Sequence, residues 1–355
     1  MTDDTAEVRA EFASDNTAPV CPEIMAALAR ANGEAAASSY GADAWTGRLR
    51  ERFSHVFETA VEVFPVTTGT IANVLAVSAL TPTHGAILCH EASHLVMDES
   101  TAPELFTGGA RLVTLPSSRA KLSAEAVRAR LAAWPIGDVH AAQPATVAVT
   151  QATELGAIYA PAEIEALGEV CREFGLSLFM DGARFANAVA ELGCSPAALT
   201  WRAGVRILSF GATKNGAMNA EAIVVFDPAL AQGLAYRVKR AGQLASKMRY
   251  FSAQLLACLE DDLWLRNARH ANAMAQRLAA SLDGVPGVEV CGPVQGNEVF
   301  VRLAPKVRQR LRAAGYAFAA YPVFGPDGCR LVTAWSTEPS AIERFVAVAA
   351  EREAR

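Results

Sequence analysis

Short, unbroken apolar runs recur along the first two thirds of the chain, separated by longer stretches in which apolar residues return every three or four positions. The runs predict strands at Val61–Val66, Ala86–Leu88, Arg111–Leu115, Thr146–Val149, Leu176–Met180, Val205–Ser209 and Ala222–Phe226. Most are continuous rather than alternating, the pattern of strands covered on both faces. Between them, segments such as Ala162–Phe174 keep a helical period through Ile164, Leu167, Val170, Cys171 and Phe174. Strand–helix alternation of this kind predicts an α/β fold, a mostly parallel sheet sandwiched by helices. After Pro228 the pattern changes: residues 229–283 read as almost wholly helical, followed by strand-like pieces at Val288–Cys291, Glu298–Val301 and Leu331–Ala334 and helices at 305–314 and 339–353. The expected division is an N-terminal arm (1–20), a large domain (21–244) and a smaller α+β domain (245–355).

Composition narrows the possibilities. A chain of 355 residues, 52% hydrophobic and 19% charged, has material for two domains and a large core. The net charge of −5 comes with no basic stripe, so neither a nucleic-acid nor an anionic-membrane partner is expected. The seven scattered cysteines form no C-x-x-C and read as reduced, mostly buried thiols. The opening MTDDTAEVRAEF is acidic and polar, unlike a signal peptide, and no apolar run approaches the roughly 20 residues of a membrane helix. A cytoplasmic protein is the expectation.

One motif points towards metal chemistry. His90-Glu91-Ala92-Ser93-His94 fits H-E-x-x-H, the zinc-protease pattern. That site needs both histidines one turn apart inside a helix, with a third ligand. Here the motif follows the apolar run Ala86-Ile87-Leu88-Cys89, which places His90 at a strand end, and nothing singles out Asp98, Glu99 or Glu104 as third ligand. No metal is expected.

Three other stretches combine. In Val66-Thr67-Thr68-Gly69-Thr70 a buried strand runs into a Gly/Thr loop and then an apolar helix, an arrangement whose free N–H groups suit an anion. In Leu176–Arg184 four apolar positions lead into Asp181, Gly182, Ala183 and Arg184, putting a carboxylate at the C-terminal end of a buried strand, where α/β proteins bind ligands. Lys214 lies in a Gly/Ala/Thr/Asn loop between two apolar strands. Taken singly, these are a helix cap, a capping Asp and an exposed lysine. Taken together, an anion cup, a strand-end acid and a loop lysine fit pyridoxal 5′-phosphate, which forms a Schiff base with lysine and needs an acid on its ring nitrogen.

The order Thr68-Gly69-Thr70-x-Ala72-Asn73, His94, Asp181-Gly182-Ala183-Arg184 and Lys214, with Ser14-Asp15-Asn16, Tyr40-Gly41 and Arg330-Leu331-Val332-Thr333, resembles the low-specificity L-threonine aldolase and phenylserine aldolase group of fold-type-I pyridoxal-phosphate enzymes. The resemblance implies an aspartate-aminotransferase-like fold, with a seven-stranded sheet in a three-layer α/β/α domain. It implies retro-aldol cleavage of β-hydroxy-α-amino acids to glycine and an aldehyde. It also assigns roles. Lys214 holds the cofactor as a Schiff base with Thr213 beside it. Asp181 pairs with the pyridine nitrogen, and Thr68, Gly69 and Thr70 hold the phosphate. Arg184, Arg330 and Ser14 take the substrate carboxylate, for which the arginine fork is suited. His94 stacks on the ring near the substrate hydroxyl, which makes His90 and Glu91 incidental. Several relatives carry a second histidine where this chain has Thr153 or Glu154, so His94 or a water would act as base. The group is usually oligomeric, implying a dimer of dimers in which Tyr40 reaches a neighbour's site and Lys239 its phosphate. Another fold-type-I activity (β-elimination, transamination or racemisation), a zinc hydrolase and a non-catalytic cofactor-binding protein are the alternatives.

Overall fold

The computed structural model describes residues 9–33 and 36–351. It divides into two compact units, taken here separately: Val20–Trp264, and the segment ending at Pro19 together with Leu265 onward. Residues 1–8 of the expected N-terminal arm lie outside the described residues.

The larger unit is built on a seven-stranded sheet of β1 (Glu62–Val66), β2 (Gly85–His90), β3 (Arg111–Leu115), β4 (Gln143–Thr150), β5 (Ser177–Gly182), β6 (Val205–Gly211) and β7 (Glu221–Val225). The spatial order is β1-β7-β6-β5-β4-β2-β3. β3, β2, β4, β5 and β6 run parallel, and β7 is antiparallel to both β6 and β1. β1 therefore points the same way as the parallel strands. Every position of β2, β5 and β7 is buried. Since successive side chains point to opposite faces, both faces of the sheet are covered. β2 and β4 run further than their apolar runs predict, because the ladder is made by the backbone and polar end residues continue it.

Helices α1 (Pro22–Gly33) and α2 (Ala44–Val56) precede the sheet and were not among the expected elements. Each buries a narrow stripe, Ile24, Ala27 and Ala31 in α1 and Trp45, Thr46, Leu49 and Phe53 in α2; α2 is mostly polar elsewhere, whereas α1 also carries Met25, Ala26, Leu28 and Ala29 outside its stripe. Asp43 caps α2, its Oδ1 accepting the Thr46 N–H at 2.9 Å. α3 (Gly69–Leu80) is buried along most of its length, as an apolar helix in a core should be. Then come α4 (His94–Met97), α5 (Ala102–Thr107), α6 (Ala124–Ala132), α7 (Pro161–Phe174), α8 (Phe185–Leu192), α9 (Pro228–Arg240) and α10 (Arg249–Leu259). α10 packs against α1 and α2 and so lies in the Val20–Trp264 unit, whereas the expected boundary was near 245. The change of pattern after Pro228 marks the start of α9, inside the larger unit. An aromatic cluster knits this unit: Phe210 meets Phe53 edge-on at 5.2 Å and Trp264 at 5.6 Å, and Phe57 meets Phe226 at 5.2 Å.

The smaller unit holds an antiparallel sheet of order β10-β11-β9-β8, formed by β8 (Val288–Val290), β9 (Glu298–Leu303), β10 (Ala319–Ala320) and β11 (Gly328–Val332). Its helices are α11 (Leu263–Leu282, apart from its first two residues), α12 (Pro305–Ala313) and α13 (Pro339–Ala350). Residues 352–353 of the last expected helix lie outside the described residues. β11 begins three residues before the expected Leu331, which sets Arg330 inside the strand opposite Phe300. Phe12, Tyr316 and Phe345 form the aromatic centre of this core. Among the described residues no helix is long and apolar enough to cross a membrane.

Candidate active site

The expected site residues of the larger unit leave the sheet at one edge. Asp181 is the next-to-last residue of β5, in register with Thr150 and Ser209 on either side. β6 ends at Gly211 and opens into the turn that carries Lys214. β1 ends at Val66 and opens into Thr67–Thr70 and α3. β2 ends at His90, just ahead of His94, the first residue of α4. These are the carboxyl ends of strands pointing the same way, the edge where α/β sheets bind ligands. Close backbone approach tightens it: a Cβ on Gly211 would sit 2.4 Å from the Ala183 carbonyl oxygen, and one on Gly182 would sit 2.5 Å from that of Ser209.

A chain of hydrogen bonds joins the acid to the histidine. The Asn73 amide nitrogen donates to Asp181 Oδ2 at 2.8 Å and to Glu99 Oε1 at 2.9 Å. Its oxygen accepts from Ser209 Oγ at 2.7 Å, and Asp181 Oδ1 accepts the Ala183 N–H at 2.9 Å. Glu99 Oε1 lies 2.8 Å from His94 Nδ1. The Asp181 and Glu99 side chains are buried, while the His94 ring is about a third exposed. The bond to Glu99 makes His94 more basic than an ordinary histidine, against the opposing effect of burial. Burial in turn pushes the Glu99 carboxyl up. With Nδ1–H given to an ionised Glu99, the lone pair of the neutral ring sits on Nε2.

Of Thr153 and Glu154, the structure brings Glu154 to His94. Glu154 Oε1 accepts the His94 backbone N–H at 3.0 Å and the Thr150 hydroxyl at 2.7 Å. Burial pushes its carboxyl up to about 7. Thr153 instead ties a turn, donating to the Arg119 carbonyl at 2.9 Å and accepting the Ala157 N–H at 3.0 Å.

The Thr67–Thr70 segment joins the end of β1 to the start of α3. Thr68 caps α3, its hydroxyl accepting the Ile71 N–H at 3.3 Å, and the space a Cβ on Gly69 would enter is open. Thr67 donates from N–H and hydroxyl to Gln243 Oε1 at 3.1 and 3.0 Å. Arg184 occupies the N-cap position of α8. Tyr40 is half exposed, and the Lys239 ammonium lies 5.1 Å from its ring centre. Ser14 and Arg330 belong to the smaller unit, where Ser14 Oγ accepts the Asn16 N–H at 3.2 Å and Arg330 pairs with buried Glu298 at 3.2 Å.

The H-E-x-x-H pattern does not form a helical pair. His90 closes β2 and His94 opens α4, with a turn between. His90 Nδ1 accepts the Ala92 N–H at 3.0 Å, and Nε2 faces the Ser117 backbone.

Asn73, Glu99 and Glu221 are the partners that periodicity does not reveal. Asn73 lies in the quoted Thr-Gly motif but carries no local signal of its role. Glu99 and Glu221 are buried carboxylates in or beside apolar segments, and that unusual placement is the one available clue.

The residues present fit a phosphorylated aldehyde cofactor: a roomy helix N-terminus for the phosphate, a lysine on the same sheet edge, and a hydrogen-bonded carboxylate one strand away. Fold and site together define the class, a fold-type-I α/β scaffold. The aspartate aminotransferase of Rhizobium meliloti superposes with a TM-score of 0.70 over 97% of this chain and 90% of that one, a likeness that at 17% identity speaks for the fold alone. The chain belongs to the β-eliminating lyase family, whose model matches residues 11–305. It is 44% identical to a low specificity L-threonine aldolase of Pseudomonas sp. (strain NCIMB 10558), over 95% of this chain and 96% of that one. A solved threonine aldolase structure from Leishmania major superposes with a TM-score of 0.89 at 26% identity, over 96% of this chain and 98% of that one.

Proposed function

We propose that this protein cleaves L-threonine-type β-hydroxy-α-amino acids (threonine, allo-threonine or phenylserine) to glycine and an aldehyde, with pyridoxal 5′-phosphate as cofactor. The observation that carries the reading is the meeting of Lys214, Asp181, His94 and the Thr68–Thr70 helix start on one sheet edge. Near full-length similarity to threonine aldolases supports it.

When bound, the cofactor supplies an electron sink for the pair released as the Cα–Cβ bond breaks. Lys214 is the residue that would hold it covalently. Asp181, fixed by Asn73 and the Ala183 N–H, presents a carboxylate that favours a protonated pyridine nitrogen. The N–H groups at the start of α3, with the Thr68 and Thr70 side chains, Gly69 and Thr213, would hold the phosphate. His94 takes the β-hydroxyl proton at Nε2, since Nδ1 is committed to Glu99. That proton loss turns the β-carbon into the departing aldehyde, and a proton returned to Cα completes glycine. Arg184, Arg330 and Ser14 are assigned to the substrate carboxylate and Tyr40 to the substrate, on the sequence resemblance. A cytoplasmic homo-oligomer, a dimer of dimers with Tyr40 and Lys239 serving a neighbour's site, belongs to the same proposal.

Incubation of the purified protein with L-threonine, L-allo-threonine and L-phenylserine tests this. Glycine and the matching aldehyde in equal amounts are expected. An oxo acid would instead indicate elimination or transamination, and no turnover by cofactor-loaded protein would leave a binding function only.

A further inference from the structure

At the heart of the lysine-bearing edge sits a carboxylate that the chemistry above does not use. Glu221 is the first residue of β7 and is buried. In register it stands between Val66, where the chain leaves for the Thr67–Thr70 loop, and Gly211, where it leaves for Lys214. Its two oxygens are divided between successive peptide groups of the lysine turn. Oε2 accepts the Ala212 N–H at 2.9 Å, and Oε1 accepts the Thr213 N–H at 3.3 Å. Both N–H groups point at the carboxylate immediately before the lysine. A short 3-10 turn such as Thr213–Asn215 leaves these N–H groups without helical partners, so the side chain does what a helix cap would do.

We infer that Glu221 is a positioning residue for Lys214: it pins the two peptides ahead of the lysine and, when ionised, sets a buried negative charge beside the turn that carries it. The inference rests on the function proposed above. Gln at 221 has nearly the shape of Glu but only one acceptor oxygen, so its amide N–H₂ would face a backbone N–H. Asp keeps the charge but is one methylene shorter and cannot reach both N–H groups.

The charge has opposing neighbours. Burial pushes the Glu221 carboxyl up, while the Thr213 and Ala212 contacts and the Lys214 charge favour ionisation. The Cys258 thiol of α10 also senses the Glu221 charge, and His94 senses Lys214. When ionised, the Glu221 carboxylate offers one acceptor oxygen to each of the two N–H groups. An ionised Glu221 beside the lysine turn would stabilise the protonated form of the lysine's linkage to the cofactor, so that linkage should lose its proton at higher pH than it would beside a neutral side chain.

The test is a spectroscopic pH titration of cofactor-loaded wild type, Glu221→Gln and Glu221→Asp, followed at the visible band of the lysine-bound cofactor. The expected result for Glu221→Gln is a band whose titration midpoint moves down by about one pH unit, with kcat about tenfold lower and KM within about threefold. Glu221→Asp should keep the midpoint closer to wild type while showing faster amide hydrogen exchange across residues 211–216. Wild-type midpoint and exchange in both variants would overturn the inference. If Glu221→Gln does not fold, Glu221→Asp decides by its exchange: protection like wild type refutes the pinning. A wild type with no visible band would instead refute the cofactor reading itself, and the two failures are thereby told apart.

Discussion

Two flanks of the same sheet edge are built on different principles. On the lysine flank, Lys214 and Asp181 sit on neighbouring parallel-strand ends, and their supports are mostly backbone: the Ala183 N–H on Asp181, and the Ala212 and Thr213 N–H groups on Glu221. On the histidine flank, His94 opens a four-residue helix and is held by two acids, buried Glu99 at its ring and half-buried Glu154 at its backbone N–H. The first flank is set by strand geometry. The second depends on side chains whose charge changes with pH. Asn73 joins them, giving one hydrogen to Asp181 and the other to Glu99. The comparison teaches where the pH dependence of the proposed base should enter: through the histidine flank, while the lysine flank carries the residues proposed to hold the cofactor.

The largest expected effect is therefore on the lysine flank. Asp181→Asn removes the carboxylate proposed to face the cofactor's ring nitrogen and should lower kcat by on the order of 10³-fold, read by steady-state aldehyde release. A residue with only a structural role would lower folding stability and leave kcat of the folded fraction intact.

His94→Ala comes next, with kcat expected to fall about 10²-fold. Glu99→Gln should cost about tenfold and should also move the pH profile. As the proposed base, His94 would act when neutral, so activity should rise with pH through a value above that of an ordinary histidine, because Glu99 raises its basicity. Replacing Glu99 by Gln removes the largest cause of that rise, so the midpoint should fall. A kcat–pH series on both proteins checks this, and an unmoved midpoint would break the assignment of His94 as base.

The smallest effect concerns Glu154. Its carboxyl in the fold is pushed up to about 7 from an ordinary value of 4.5. The folded state then binds the proton more tightly than the unfolded chain, so stability contributed by the protonated form is present below about 4.5 and lost as pH rises through about 7. Glu154→Gln should show a smaller decline of Tm between those pH values, by differential scanning fluorimetry. An equal decline in both proteins would place the pH dependence elsewhere, in Glu99 or Glu221.

Much of the lysine flank was legible in the sequence, because strand-end chemistry is local: an apolar run ending in Asp181, another ending in Val66 ahead of Thr68-Gly69-Thr70, and a lysine in a small-residue loop. The seven strands were legible for the same reason. The histidine flank was not. His94 was singled out, but its bond to Glu99, five positions on, was not, and Asn73 joins Glu99 and Asp181 across 26 and 108 positions, which no periodicity encodes. Glu154 could be named only as one of two candidates, since Thr153 beside it carries an equally usable oxygen. Helices α1 and α2 escaped because their buried stripes are narrow: in α2 the stripe lies among polar residues, and in α1 the apolar Met25, Ala26, Leu28 and Ala29 outside the stripe blur the period. The H-E-x-x-H pattern shows the converse: five residues match a motif, yet a strand end and a helix start separate the two histidines.

The central claim is a covalent bond at one lysine. Reduction of the cofactor-loaded protein with borohydride, followed by digestion and mass spectrometry, should leave the pyridoxyl group on the peptide containing Lys214 and nowhere else. Recovery of the label on Lys121, Lys239, Lys247 or Lys306, or of no labelled peptide at all, would contradict the account.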